Sequence, residues 1–454
     1  MSSAFIAHAR PLLILMLPIL GTQLAQTGMG VVDTLVAGMA GTLDLASIAV
    51  GSSVWLPLVL FVNGILVALV PVVAQAKGAK DKQKSAQTLQ QGLYLSLFIG
   101  LIAMLILLVS AEPLMLLVGV TPEIHELTLS YLTYIAYGLP AVSIMQAFRS
   151  YNEAIGLTKP VTFIAVVGLL LNIPLNIIFV FGFGPIEAMG GPGCGLASCI
   201  IFYASALAIA LFTLYSRFHQ SVSPLKAFSP IHWPTQKYLL AIGLPMGLAI
   251  FVEVSLFCVI ALLIARLGPD VVAAHQITLS VSSLVFMVPL SLAFALTVRV
   301  GHVLGQQNPK KAQAVSINGL QLTLIFASLN AAFLIALKEP IVSLYSSDLA
   351  VTALASHLLM FAAIFQFSDG LQVGAAGALR GYKDTLVTLI LTVISFWAIG
   401  LPLGYYLGLS QAAPLGAEGF WIGLVAGLSV NAALLLVRLR LVSRQAIQTL
   451  GIKA

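Results

Sequence analysis

Charge is what this chain lacks most. Asp, Glu, Lys and Arg make up only 8% of its 454 residues, against about 25% in a soluble domain. That scarcity excludes an ordinary water-soluble globule. Cysteine is rare too. Cys194, Cys199 and Cys258 lie in apolar runs without CxxC spacing, which argues against a disulfide framework or a thiolate zinc site. The histidines are scattered, with no HExxH and no nucleophile set beside a base, so an embedded enzyme is not expected. Nor is a cleavable leader, since no small-residue cleavage site follows a short apolar core and the first apolar run is long enough to stay in a membrane.

What is abundant is apolar: 60% of the chain is hydrophobic. A helix crosses a bilayer with about 20 apolar residues, and twelve runs qualify: 11–39, 48–75, 87–110, 124–148, 159–182, 194–216, 238–265, 271–298, 313–337, 350–376, 385–408 and 417–438. The breaks between them are polar or rich in Gly and Pro, as in AKGAKDKQKS, GFGPIEAMGGPG and RGYKD. With the N-terminus in the cytoplasm, every one of the 21 Lys and Arg residues except Arg266 and Lys338 falls on the cytoplasmic side. That satisfies the positive-inside rule with both termini inside, and a miscount by one span would scramble it. The formal charge of +6 is therefore a topology signal, and no nucleic-acid partner is expected.

The chain repeats itself. Shifted by 227 residues, half its length, Pro18 meets Pro245, Gly41 meets Gly268, Gly78 meets Gly305 and Lys84 meets Lys311. At a slightly different offset, RSY at 149–151 resembles RGY at 380–382, and NIPLN at 172–176 falls near GLPLG at 400–404. Six spans per half is an even number, so both halves have the same orientation: a parallel repeat about an axis along the membrane normal. The expected fold is all-α and integral to the membrane, with twelve helices in two six-helix lobes. Residues 1–220 form one lobe, 221–237 a cytoplasmic linker and 238–454 the other.

Three acids lie inside spans away from their ends: Asp33, Glu253 and Asp369. Intramembrane carboxylates mark substrate, ion or proton paths; the plainer reading is a neutral acid hydrogen-bonded to a neighbouring helix. Glu253 on span seven can meet Asp369 on span ten, where FQFSDGLQ puts Phe365, Gln366 and Gln372 on the face of Asp369. Two carboxylates in a low-dielectric cavity call for a shared proton or a metal ion. In the other half, Asp33 can face Asn172 and Asn176, an i,i+4 pair, with Ser198 on span six. Plain interhelical hydrogen bonding explains Asn172, Asn176, Gln366 and Ser198 equally well. His275 and Gln276 suit packing or a site, and Phe365 suits a core position as well as a cation cage. Under the shift, Gln26 lies opposite Glu253 and Asp33 opposite Ile260, so the halves are alike in shape and unlike in chemistry. A flippase of lipid-linked molecules would want a cationic cavity, and no Arg or Lys falls within these spans except at their ends, Lys159 and Arg438. The lopsided halves disfavour a channel.

QLAQTGMGVVDTLVAG, VALVPVVAQAKGA, NIPLN, FVEVSLFCVIALL, VVAAHQI and SDGLQVGAAGALRGYKD together resemble the multidrug and toxic compound extrusion (MATE) family, in its NorM branch, along essentially the whole chain. The resemblance implies a bacterial inner-membrane antiporter, acting as a monomer, that exports organic cations and drugs in exchange for Na⁺ or H⁺. No cofactor beyond the coupling ion is implied. The family's cation site maps onto Glu253 and Asp369, the Na⁺ candidates here, and its other carboxylate onto Asp33. Two departures stand out: Phe365 replaces a tyrosine, keeping a ring face but no hydroxyl, and Asn176 stands where some relatives carry an acid.

Overall fold

A bilayer offers no water to a peptide group, so a spanning chain must satisfy its backbone within each segment. The computed structural model, which describes residues 3–119, 121–216, 229–410 and 414–451, meets that demand with twelve long helices: α1 (Ala7–Ala40), α2 (Thr42–Gly78), α3 (Lys82–Leu117), α4 (Pro122–Ala154), α5 (Thr158–Phe181), α6 (Gly191–Tyr215), α7 (Trp233–Leu267), α8 (Pro269–Gly305), α9 (Pro309–Ser343), α10 (Leu349–Gly381), α11 (Leu386–Leu409) and α12 (Ala417–Thr449). Each expected span falls on one of them. Even the shortest, 24 residues, is about 36 Å long at 1.5 Å per residue. Among the described residues no strand forms; the β-type feature is one bridge between Phe183 and Ile186. Of the expected linker, residues up to 228 lie outside the described residues, as do Arg217, Lys226 and Lys453.

The helices outrun the apolar runs at their polar ends. Pro57, Pro140, Pro174, Pro245 and Pro289 sit inside helices that continue past them. α11 is different: a π-helical segment, Ile394–Gly400, joins its two α-helical parts. It ends two residues before Pro402, whose ring crowds the carbonyl four residues back, and a wider turn relieves that crowding.

Two compact units form, one of Pro18–Gly247 and one of Met1–Leu17 with Leu248–Ala454. In the first, α4 is the central helix, packing on α2, α3 and α6; in the second, α10 is central, packing on α8, α9 and α12. Large apolar side chains such as Phe163, Leu170 and Leu262 face outward, while Tyr131, Phe396, Phe420 and Trp421 are buried, as lipid-facing helices require.

The repeat is written in the turns. Lys80 and Gln307, 227 residues apart, both take left-handed backbone (φ 59° and 61°). The next residues, Asp81 and Asn308, cap the following helices by accepting from Lys84 N at 2.9 Å and Lys311 N at 3.0 Å. Gly156 and Lys383, again 227 apart, repeat the left-handed turn (φ 83° and 66°). The register therefore holds through the fourth and tenth helices. Arg380 falls opposite Glu153, and the RSY–RGY likeness is a chance match one helical turn out of register.

α11 and α12 meet along a ladder of glycines four residues apart: Gly400, Gly404 and Gly408 against Gly427, Gly423 and Gly419. A Cβ at Gly423 would lie 2.5 Å from Gly404 Cα, and one at Gly419 would lie 2.5 Å from Gly408 N, so the two backbones touch, as small residues allow in membranes. Gly423→Ala is expected to cost about 1–3 kcal/mol by overpacking and to lower the melting temperature in detergent. Gly30→Ala, where nothing lies within 4 Å, should leave it unchanged.

Candidate functional site

The Pro18–Gly247 unit gathers its polar groups around Asp33 of α1, which is 8% exposed. Asn172 and Asn176 of α5, spaced to share one helix face, both donate from Nδ2 to Asp33 Oδ1, at 3.2 and 2.6 Å. Ser198 Oγ of α6 donates to Asp33 Oδ2 at 3.0 Å, and Asn176 also donates to Asn172 Oδ1. Cys194, one turn before Ser198, places its thiol 3.6 Å from the Asp33 carbonyl oxygen. The four residues expected to meet here do so, and a carboxylate with three donors is well suited to hold charge away from water. Asn176 Oδ1 meets no donor among the described residues.

Further toward the start of α1 lies a cluster that sequence reasoning missed. Arg149 of α4 donates from Nη1 to Gln26 Oε1 and from Nη2 to Gln23 Oε1, each at 2.7 Å, and from Nε to Glu153 Oε1 at 2.8 Å. Arg149 and Glu153 are both buried. The apolar run ends before Arg149, yet the helix continues to Ala154, so Arg149, expected at the cytoplasmic end of this span, lies in the helix and not in a loop. Arg380, likewise, lies in the last turn of α10, over the ring of Phe294.

In the other unit Glu253 of α7 and Asp369 of α10 are brought together by a single amide. Gln372 Nε2 donates to Glu253 Oε1 and to Asp369 Oδ1, at 3.3 Å each, while its Oε1 accepts from Asn431 Nδ2 of α12 at 3.0 Å. That Nδ2 also reaches Thr392 Oγ1 of α11 at 3.5 Å. Both acids line a cavity of about 290 Å³ whose apolar walls include Phe257, Phe286, Phe365 and Trp421, with Gln276 among its polar lining. Phe365 packs edge-on against Phe257 (6.4 Å) and Trp421 (6.0 Å), so it is a core residue and a cavity wall at once. Trp421 Nε1 in turn donates to His275 Nδ1 at 3.2 Å. Gln366 stands apart from the acids: its Oε1 accepts from Asn330 at 3.4 Å and its Nε2 meets no acceptor among the described residues. Asn431, Thr392 and Trp421 carried no sequence signal beyond being polar or aromatic on a distant helix. Among the described residues no three His, Cys, Asp or Glu side chains gather as a metal centre.

A family model described as MatE matches the chain twice, over residues 18–178 and 245–406, and the two matches begin 227 residues apart, the shift that the turns repeat. Multidrug resistance protein MdtK of Yersinia pseudotuberculosis is 40% identical over 443 residues, 97% of each chain. The probable multidrug resistance protein NorM of Shewanella oneidensis is 43% identical over 443 residues, 96% of this chain and 95% of its own. The crystal structure of MATE in the bent conformation matches with a TM-score of 0.89 at 20% identity, over 99% of this chain and 100% of the other, which shows the same twelve-helix, two-lobe fold. Matched by the model in both halves and by relatives along nearly its whole length, this chain is a multi-pass bacterial membrane protein of the MatE family, the multidrug efflux transporters.

Proposed function

We propose that the protein exports organic cations and drugs across the bacterial inner membrane, with both termini in the cytoplasm, in exchange for Na⁺ or H⁺ and by alternating access. The observation that carries this reading is the pair of acids, Glu253 and Asp369, opening on one aromatic-walled cavity. A small cation or protons on the pair neutralise its buried charge. An organic cation competes for the same negative field and offers its apolar body to the aromatic walls, so one occupant disfavours the other. Asp33, with its three donors, is a second protonatable group. Each charge moving inward gains about 2.3 kcal/mol per 100 mV of membrane potential, to which its own gradient adds. An anionic lipid headgroup fits less well, because the guanidinium of Arg149 is already held by Gln23, Gln26 and Glu153.

Ethidium transport in proteoliposomes, with sodium and pH gradients imposed separately, tests the reading. Transport on a sodium gradient alone, lost in Glu253→Gln and Asp369→Asn at normal expression, is the expected result. Full transport in both variants would remove the acid pair from the coupling, and no transport under either gradient would favour export of a lipid-linked solute.

Asp33→Asn preserves the size of the side chain while removing its charge, so the protein is expected to fold and melt as the wild type does. If protons couple through this residue, transport on a pH gradient falls at least about tenfold, the equivalent of 1.4 kcal/mol. An unchanged rate would make Asp33 a packing residue.

A further inference from the structure

An uncharged donor stands where two acids would draw a cation. Gln372 Nε2 lies 3.3 Å from both Glu253 Oε1 and Asp369 Oδ1, and its other end is held by Asn431 Nδ2 at 3.0 Å. Gln372 is 4% exposed and Asn431 0%. Asn431 Oδ1, although buried, meets no donor among the described residues, a costly arrangement and a loose end of the network.

A side-chain amide has a donor end and an acceptor end of nearly the same shape. If Gln372 and Asn431 each rotate by a half-turn, Gln372 Oε1 faces the acids, Gln372 Nε2 donates to Asn431 Oδ1, and the Thr392 hydroxyl, which accepts from Asn431 while donating to the Thr388 carbonyl oxygen at 2.9 Å, turns its proton to Asn431 instead. One Asn431 atom goes unpartnered in either orientation, but the turned one gives up both bonds to the acids and the Thr392–Thr388 bond, so without an ion the orientation seen is favoured. A cation between the carboxylates reverses that preference through its field. Two carboxylates draw the N–H end of Gln372 inward, whereas a cation seated between them repels that end and attracts the oxygen.

We propose that Gln372 is a ligand of a bound sodium ion, its amide turning together with that of Asn431 as the ion enters. This rests on Glu253 and Asp369 being the ion site. In the ion-free form Gln372 ties α7 to α10 by bridging the acids; in the ion-bound form its carbonyl joins the carboxylate oxygens. The reversal passes through Asn431 to α12 and through Thr392 to α11, two residues before the π segment begins at Ile394. That segment also touches the site's other flank, where Trp397 Nε1 donates to the carbonyl of Val252, the residue before Glu253.

Binding of radioactive sodium to the purified full-length protein, with no drug present, is the test. Gln372→Met is expected to weaken binding about tenfold or more, a change of 1.4 kcal/mol per factor of ten, and Asn431→Ala to weaken it by a smaller factor. With isotope-labelled glutamine, the infrared difference between sodium and choline should show a side-chain carbonyl band that shifts in the wild type and is missing in Gln372→Met. Wild-type affinity in Gln372→Met, with binding lost in Glu253→Gln, would overturn the proposal and leave the acid pair standing as the ion site. No sodium binding in the wild type would overturn both. Should Gln372→Met fail to fold, a wild-type spectrum without a sodium-dependent glutamine shift overturns the proposal.

Discussion

A carboxylate on an apolar helix has to find its hydrogen-bond donors among buried side chains, most of them on other helices, because neither lipid nor its own backbone can supply them. Much of the arrangement inside each unit follows from that constraint. Asp33 of α1 is met from α5 and α6, and the acids of α7 and α10 are met by an amide that is itself held from α12. The buried acids and amides fix the register of these helices, since a slip of one turn would strand them.

The two repeats solve this problem with the same backbone and different chemistry. Turn for turn, Lys80 and Gln307, Asp81 and Asn308, and Gly156 and Lys383 adopt matching conformations, yet Glu253 has Gln26 as its counterpart and Asp33 has Ile260. Gln26 accepts from a buried arginine, whereas Glu253 shares a glutamine with a second acid. One duplicated scaffold thus holds a paired arginine and a lone acid in one unit and a pair of acids in the other. The reach of the chemistry is set by a few side chains, and the shape is set by the turns.

Hydropathy made all twelve helices legible, because a spanning helix must be apolar for longer than almost any soluble one. Asp33 and its partners were legible for a different reason: the i,i+4 spacing of Asn172 and Asn176 puts two amides on one stripe, and few polar residues compete for the match. The span ends were not legible. Helices persist into polar sequence wherever tertiary contacts cover them, which is how Arg149 and Glu153 came to be buried side chains instead of loop charges. Asn431 and Thr392 were invisible for a plainer cause: single polar residues on helices 59 and 20 positions away from Gln372 carry no pattern of their own. The RSY–RGY match misled because short motifs ignore the turn that fixes the register.

The glycine ladder of α11 and α12 has a mechanical side. Side chains that interlock give a helix pair a set of notches, and sliding means changing rotamers at each one. Where Gly400 and Gly404 lie on Gly427 and Gly423, there are no side-chain notches to cross, and the two backbones behave as a smooth bearing that is stiff against separation and weakly geared along its length, with the Phe420 ring against Gly408 as its one tooth. Alignment along that bearing is left to the polar contacts beside it, the Thr392–Asn431 bond among them. A contact of modest strength thereby acquires the leverage of a set screw on a smooth shaft.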